Sequence, residues 1–143
     1  MPYRFLDDIA TADVAFAAQG KTREELFAAC AAALLGVMVE NPGAVEPREE
    51  LAITLDAAEL DLLLFAFLQE LVFYKDARRL FLTVADLAIS GGEGNFALTA
   101  RVCGEPIDPE RHHLGVDVKA VTLHRFRVEE TATGWEAMVI LDV

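Results

Sequence analysis

The feature that most constrains the fold is the end of the chain, residues 116–143, where two apolar-rich runs flank the turn sequence Thr-Ala-Thr-Gly. Both runs are rich in β-branched and aromatic residues, so this stretch predicts a β-hairpin. Period-two alternation in the first run puts His124 on one face among apolar residues and Lys119 on the other. The second run, residues 137–141, is almost entirely apolar, as expected of a strand that is buried on both faces.

That last strand ends in an acidic residue, Asp142, one position before the final residue, Val143. A side-chain carboxylate and a terminal carboxyl group about 4 Å apart repel each other by roughly 4 kcal/mol at an effective dielectric constant near 20. A bound cation would remove this repulsion. The end of the hairpin is therefore a candidate cation site.

Length and composition indicate a single globular domain, residues 1–143, in which 54% of the residues are hydrophobic. The longest apolar run, residues 26–39, is too short to span a membrane, and the first residues lack the order of basic and apolar segments typical of a secretory signal. Two scattered cysteines, Cys30 and Cys103, match neither a disulfide framework nor a zinc-binding spacing. We therefore expect a protein of the reducing cytoplasm.

The net charge of −12 is the strongest signal in the composition. Nucleic acid is bound through its phosphates by basic surfaces, so a broad surface for direct binding of RNA or DNA is not expected. A cation or a basic protein partner matches this charge better. The alternative is that the acidity only keeps the protein in solution.

The rest of the chain predicts two helices among short strands. Thr22 and Glu25 form a capping-box sequence at the start of a helix that extends to about residue 39, where Asn-Pro-Gly ends it. Residues 56–59 repeat this signature before a second amphipathic helix, which extends to about residue 74. Residues 1–11 form an acidic lead-in without a clear period, and residues 104–117 form a loop rich in proline and glycine. Strands are predicted at residues 13–18, 51–55, 80–89 and 96–103, the last two joined by a glycine-rich hairpin turn.

This order of elements predicts an α+β fold. Helices come early, strands follow consecutively and no long linker separates them, so we expect two helices packed against a largely antiparallel β-sheet. The glycine-rich segment 91–95 links two strands and precedes no helix, so it is not a phosphate-binding loop. The sequence contains no nucleophile elbow, P-loop, HExxH or paired-cysteine motif, and no enzyme class is indicated.

Two aspartates interrupt apolar strands at positions that could meet. Asp13 begins the first predicted strand and Asp142 ends the last one. If those strands pair in antiparallel orientation, both carboxylates lie at the same end of the sheet, where a hard divalent cation would accept such oxygen ligands. The alternative is a pair of solvated carboxylates at strand ends.

Other polar residues have open or structural interpretations. Glu70 lies at the edge of the apolar stripe of the second helix, where its side chain would either contact a functional site or be solvated. Lys119 interrupts an apolar run after a glycine-containing loop and either pairs with a nearby carboxylate or projects towards a partner. His124 shares its strand face with apolar residues, so we expect a core histidine rather than a base. His112 and His113 are adjacent in a loop, and structural or solvated roles are expected for both.

Short motifs are distributed along nearly the whole chain. They are Phe-Leu-Asp at 5–7, Thr-Ala-Asp-Val at 11–14, Gly-Lys-Thr-Arg-Glu-Glu-Leu-Phe at 20–27, Leu-Gln-Glu-Leu-Val-Phe at 68–73, Asp-Pro-Glu-Arg-His at 108–112, Val-Lys-Ala-Val-Thr at 118–122 with His124, and Ile-Leu-Asp-Val at 140–143. Each motif alone is weak. As an ordered set, they resemble the archease family.

The resemblance implies a role rather than a reaction. Archeases are accessory, chaperone-like proteins of the GTP-dependent RNA ligase that joins tRNA halves during splicing and acts in RNA repair. They accelerate guanylylation of the active-site histidine of the ligase and allow repeated turnover. The family fold is α+β, built from strand–helix–strand–strand units. The resemblance therefore implies a protein that is not an enzyme and whose partner is this ligase.

The resemblance also implies a metal site. In the family a divalent cation, often calcium, is held by the aspartate of the Thr-Ala-Asp motif, the near-terminal aspartate and a backbone oxygen of the last residue. These ligands correspond to Asp13, Asp142 and Val143, and the important lysine of the family corresponds to Lys119. This correspondence agrees with the pairing expected from the strand ends.

One departure from the family pattern concerns this metal site. The usual motif is His-Thr-Ala-Asp, and Ala10 stands here in place of the histidine. Asp7 or Asp8 would then serve as an outer ligand. Otherwise the site is more open and binds its ion more weakly, because the groups around metal ligands orient them.

Three functions are consistent with these observations. In the first, the protein activates the ligase by entering its basic nucleotide-binding cleft with an acidic, cation-bearing tip. Lys119 would steady the carboxylates or the nucleotide phosphates, and Glu70, His124, Asp7 and Asp8 are further candidate contacts. The second is a metal-dependent phosphoester hydrolase, which is disfavoured because no general base or substrate-binding arginine accompanies the carboxylates. The third is a plain protein-interaction domain in which the metal is incidental.

Overall fold

The computed structural model describes residues 2–6 and 13–143. Within these residues the chain forms two α-helices, seven β-strands and a short 3-10 helix, so the α+β prediction is confirmed. In chain order the elements are β1 (Tyr3–Leu6), β2 (Asp13–Gly20), α1 (Arg23–Met38), the 3-10 helix (Pro42–Ala44), β3 (Glu49–Ala57), α2 (Leu60–Arg78), β4 (Leu80–Gly92), β5 (Asn95–Pro106), β6 (Ala120–Thr131) and β7 (Gly134–Asp142).

The strands divide into two antiparallel sheets. The first has the strand order β1-β2-β7-β6 and the second has the order β3-β5-β4. Each sheet is built by a strand–helix–strand–strand unit whose last strand lies between the other two: β2-α1-β6-β7 in the first sheet and β3-α2-β4-β5 in the second. The second unit is inserted into the chain between α1 and β6 of the first.

The two helices form the layer that joins the sheets. α1 contacts β2 and β7 of the first sheet and β4 of the second, while α2 contacts β6 of the first sheet and all three strands of the second. A helix with sheets on both sides is buried around most of its circumference, and α1 is apolar accordingly. The fully buried rings of Phe27 and Phe67 stack between the helices, with centroids 6.3 Å apart. Neither helix in the described residues has the length and apolarity needed to cross a membrane.

The start of α1 confirms the predicted cap, whereas the start of α2 does not. The Thr22 hydroxyl accepts the backbone N–H of Glu25 at 3.0 Å, and the Glu25 carboxylate accepts the N–H of Lys21 at 2.7 Å. The predicted signature at residues 56–59 was wrong, because its first two residues belong to β3. Glu59 precedes α2 without a side-chain hydrogen bond to the helix.

The acidic lead-in contains a strand that its sequence did not reveal. Residues Tyr3–Leu6 pair with β2 in antiparallel register, with Phe5 opposite Phe16. Four residues are too few to establish a period of two. The strand is stabilised by pairing with β2 and by packing of Tyr3 and Leu6 against buried residues. The predicted loop at 104–117 likewise begins too early, since β5 continues to Pro106.

The predicted alternation of β6 is interrupted by a bulge. Thr122 pairs with Ile140, but the next paired residue is Arg127, so residues 123–126 lie opposite the single residue Val139. Extra residues in one strand shift its later side chains to the other face. His124 is consequently exposed in the bulge, and its prediction as a core histidine was wrong.

Candidate functional site

The first and last of the strands predicted from the sequence lie side by side. β2 pairs with β7 along its whole length in antiparallel orientation, and Asp13 lies directly opposite Asp142. Directly opposed residues project from the same face of a sheet, with their Cβ atoms about 4.5–5.5 Å apart. The structure therefore confirms that these two distant aspartates meet at one end of the first sheet.

The apolar side chains of β7 fix this register. Val139 and Leu141 face the main core, while Ile140 packs with Ala15 and Met138 in a small cluster on the opposite face. All of these residues are buried. A slip of one residue would exchange the two faces of β7. Burial of a large aliphatic side chain contributes about 1.5–3 kcal/mol, so the register that places Asp142 opposite Asp13 is strongly favoured.

The two carboxylates lie at the molecular surface. Asp142 is exposed and Asp13 is half-buried. Within residues 2–6 and 13–143, neither takes part in an ion pair. Like charges directly opposite each other across two strands are destabilising. This arrangement leaves a negative charge that a cation would balance.

The donor set fits a hard divalent cation that keeps part of its water shell. Asp13 and Asp142 offer carboxylate oxygens, and Val143 follows with backbone oxygen, which is the ligand chemistry that calcium and magnesium prefer. No group of three His, Cys, Asp or Glu side chains in the described part of the chain converges on a metal position. The sequence candidates Asp7 and Asp8, and Ala10 of the altered motif, lie outside the described residues.

Lys119 joins this site through its backbone. Its N–H donates to the carbonyl oxygen of Asp142 at 2.8 Å, and the next residue, Ala120, pairs with Asp142 across β6 and β7. The Lys119 side chain is exposed, and its ammonium group forms no ion pair with a described residue. This favours a side chain that projects towards a partner. We call Asp13, Lys119, Asp142 and Val143 the tip.

The remaining candidates are not joined to the tip by a hydrogen bond or an ion pair within the described residues. Glu70 is half-buried in α2, and its neighbour Gln69 accepts the N–H of Val121 at 3.0 Å, which ties α2 to β6. His124 lies in the exposed bulge of β6. Both residues face solvent at least in part, so they are open to a partner.

Sequence reasoning missed a buried charge cluster at the base of the loop that leads to the tip. Glu105, only 3% exposed, accepts the N–H of Glu46 at 2.6 Å and a hydrogen bond from the guanidinium of Arg111. The fully buried His112 accepts the N–H of Asp108 at Nδ1, so Nε2 carries the proton and donates to Glu105 at 3.1 Å. Burial raises the pKa of Glu105, but these hydrogen bonds and the Arg111 charge outweigh it and lower the pKa to about 2.

This cluster gives His112 the structural role that the sequence suggested, while His113 is exposed. The partner of His112 was not evident from the sequence, because the apolar strand β5 gave no reason to expect a buried carboxylate at its end. Residues 107–119 are thereby fixed at their start.

A second anchor of this loop is Lys75 of α2, which is 2% exposed. Its Nζ donates to Oδ1 of Asp117 at 2.7 Å and to the carbonyl oxygen of Val118 at 2.6 Å, and it pairs with Asp76 at 2.6 Å. Burial lowers the pKa of Lys75, but the hydrogen bonds and charges of Asp117 and Asp76 outweigh it and raise the pKa. The sequence did carry a signal, because Lys75 follows Leu71 by four residues on the buried stripe of α2.

Comparison with known proteins agrees with this architecture. Residues 3–143 match the family described as Archease protein family (MTH1598/TM1083). The chain is similar to Protein archease of Thermococcus kodakarensis, with 36% identity over 134 residues that cover 93% of this chain and 94% of the relative. It is 31% identical to Protein archease of Archaeoglobus fulgidus, with 100% of both chains covered.

Solved structures agree as well. The solution structure of Methanobacterium thermoautotrophicum protein 1598 has a TM-score of 0.84 and 33% identity, and the match covers 99% of both chains. The crystal structure of a Thermotoga maritima archease, described as a possible chaperone, shares the fold with a TM-score of 0.61 at 18% identity, over 94% of this chain and 93% of that one. The sequence motifs, the fold and these similarities together show that the chain belongs to the archease family.

Proposed function

We propose that this protein activates the GTP-dependent RNA ligase of tRNA splicing, and that it does so through the tip with a divalent cation held between Asp13 and Asp142. Family membership supports an accessory role. The observation that supports a role for the tip is the register of β2 and β7, which puts Asp13 directly opposite Asp142 at an exposed end of the sheet. A cytoplasmic location and a role outside catalysis belong to the same proposal.

Calcium is the ion that we expect at the tip. The carboxylates of Asp13 and Asp142 and backbone oxygen of Val143 would hold it, with water completing the six to eight oxygen ligands that calcium takes. When bound, the ion supplies a positive charge that cancels the repulsion of the carboxylates and attracts phosphate oxygens. The affinity depends on Asp7 or Asp8 as outer ligands, because Ala10 replaces the family histidine.

Charge directs the tip towards the partner. The net charge of −12 repels bare nucleic acid and attracts a basic, nucleotide-binding cleft, which increases the rate of encounter at low ionic strength. Within the acidic surroundings, the exposed ammonium group of Lys119 would contact nucleotide phosphates or an acidic group of the ligase. Glu70 and His124 are the further contacts that we propose for the partner.

The test is guanylylation of a ligase from the same source, measured with and without this protein. We expect the wild type to increase the rate and the number of turnovers, and Asp13→Ala and Asp142→Ala to abolish the increase while the fold is retained. Glu130→Ala is a matched control, because Glu130 is an exposed carboxylate near the other end of β6. Variants are preferable to chelation, since nucleotidyl transfer itself uses metal ions.

Two results would reject the proposal. One is a ligase whose rate and turnover do not change when the wild-type protein is added. The other is an activation that survives Asp13→Ala and Asp142→Ala, which would favour a plain interaction domain in which the metal is incidental.

A further inference from the structure

We propose that Lys75 is a positioning residue of the tip: its bonds to Asp117 and Val118 hold the segment that delivers Lys119 to Asp142. The inference rests on the proposed function of the tip, which it extends from the surface to a buried group in α2. Lys75 itself is too deeply buried to touch a partner, so it would act only through the residues that it holds.

The burial of Lys75 requires an explanation. Its side chain is 2% exposed and lies on the apolar stripe of α2, where leucines at the preceding positions are buried in the core. A buried charge is not needed for stability there, because well-packed apolar residues of similar volume are often as stable or more stable. What an apolar residue would not supply is three hydrogen-bond donors directed at Asp117, Val118 and Asp76.

The contacts continue without a gap from Lys75 to the tip. Lys75 binds the carbonyl oxygen of Val118, whose side chain is fully buried, and the next residue, Lys119, donates its N–H to the carbonyl oxygen of Asp142. On the other side, the N–H groups of Gly115 and Val116 donate to carbonyl oxygens near the end of α1, both at 2.9 Å. Residues 115–119 are therefore all held, and Lys75 provides the bonds at their centre.

The chain offers a matched pair of carboxylates with which to test this role. Asp117 and Asp76 lie 2.7 and 2.6 Å from the same Nζ, and their side chains are 74% and 55% exposed. Asp76 is next to Lys75 in α2, so its contact joins no two elements. Asp117 belongs to the loop, so its contact ties the loop to α2. Removal of either carboxylate removes one negative charge beside Lys75. Only removal of Asp117 also removes a contact between the loop and α2, which leaves the Val118 carbonyl as the loop partner of Lys75.

The experiment compares Asp117→Ala, Asp117→Asn and Asp76→Ala with the wild type. Calcium affinity is measured by calorimetric titration, and the concentration of this protein that gives half-maximal ligase guanylylation is measured separately from the maximal rate. We expect Asp117→Ala to weaken calcium binding and to raise the half-maximal concentration, each by about tenfold or more, as removal of groups that orient metal ligands does. Asp76→Ala should stay within about twofold of the wild type, as expected for a surface ion pair. Asp117→Asn should be close to wild type, because its amide oxygen still accepts from Nζ.

Asp117→Ala is preferable to substitution of Lys75, because Lys75 keeps Asp76 and the Val118 carbonyl as partners and the core is not disturbed. A third readout is hydrogen exchange at the Lys119 amide. The Lys119 amide should be equally protected in the wild type and Asp76→Ala and less protected in Asp117→Ala.

These measurements distinguish a positioning role of Lys75 from an effect of local charge alone. Equal effects of Asp117→Ala and Asp76→Ala would overturn the positioning role, since they would show that only the local charge matters. Unchanged affinity, activation and exchange in Asp117→Ala would also overturn it. A wild type that neither binds calcium nor activates the ligase would reject the proposed function instead, and the exchange at Lys119 would then decide whether Lys75 holds this segment.

Discussion

At the scale of single residues, the chain contains two kinds of strand-end carboxylate, and their surroundings explain their difference. Glu105 at the end of β5 is buried and receives hydrogen bonds from Arg111 and His112. Asp142 at the end of β7 is exposed and faces Asp13. The first carboxylate is therefore stabilised in its ionised form by the protein, and the second is the carboxylate for which we propose a bound cation.

The pH dependence of the free energy of unfolding should show the contribution of the ionised Glu105 carboxylate. Its pKa is lowered from 4.5 to about 2 in the folded protein, so its contribution to stability is fully present above pH 4.5 and is lost as the pH falls towards 2. We expect Glu105→Gln to be less stable than the wild type at pH 7 and the difference to shrink below pH 4.5. Thermal unfolding at a series of pH values measures this.

The control for that series is Glu130→Gln, which changes an exposed carboxylate and should track the wild type at every pH. A constant difference between Glu105→Gln and the wild type from pH 7 to pH 2 would contradict the account. Such a result would mean that the shape of the side chain, rather than its charge, matters at this position.

At the scale of elements, helices and strands long enough to repeat their hydrophobic pattern were predictable from the sequence. Short strands and bulges were not. The hairpin of β6 and β7 follows from β-branched runs around a turn, and α1 follows from its cap. The strand β1 is too short to show a period, and the bulge in β6 has no glycine to mark it. Because the bulge shifts the alternation of buried and exposed side chains, His124 is exposed rather than part of the core as predicted.

The bulge itself can be tested through Arg125, which has a φ of 54°, in the left-handed region that disfavours residues other than glycine. We expect Arg125→Gly to leave stability unchanged or to raise it by up to about 1 kcal/mol, because glycine has no Cβ to clash but is more flexible when unfolded. The free energy of unfolding from a urea titration measures this change.

Arg127→Gly is the comparison for that measurement, since Arg127 has regained regular pairing with Met138. Glycine weakens a strand interior, so this variant should lose about 0.5–1 kcal/mol. If both variants lose the same amount, the left-handed conformation at residue 125 is not part of the stable fold.

At the scale of the whole molecule, the two strand–helix–strand–strand units place an acidic residue at the end of their middle strands and treat it differently. The second unit supplies its own hydrogen-bond donors to Glu105, the cationic Arg111 and the neutral His112, from the loop after β5. The first unit supplies a second acidic residue, Asp13, instead. This contrast between similar units is the reason to regard the tip as a site for a cation rather than as an ordinary pair of surface carboxylates.

The fold class and the meeting of Asp13 with Asp142 could be predicted because they depend on patterns that run along whole strands. The anchors could not, because they depend on contacts between separate elements that follow no hydrophobic pattern: Lys75 with Asp117, and Glu105 with Glu46. Pairs of this kind depend on the packing of α2 and β5 against loops. A single sequence shows each partner but not that they meet.

Calorimetric titration of the metal-free protein with calcium tests the central claim most directly. The account predicts that the wild type binds calcium at one site, that Asp13→Asn and Asp142→Asn each lose this binding, and that Glu130→Gln retains it. A wild type that releases no heat and gains no stability with calcium, or variants at Asp13 and Asp142 that bind as well as the wild type, would contradict it.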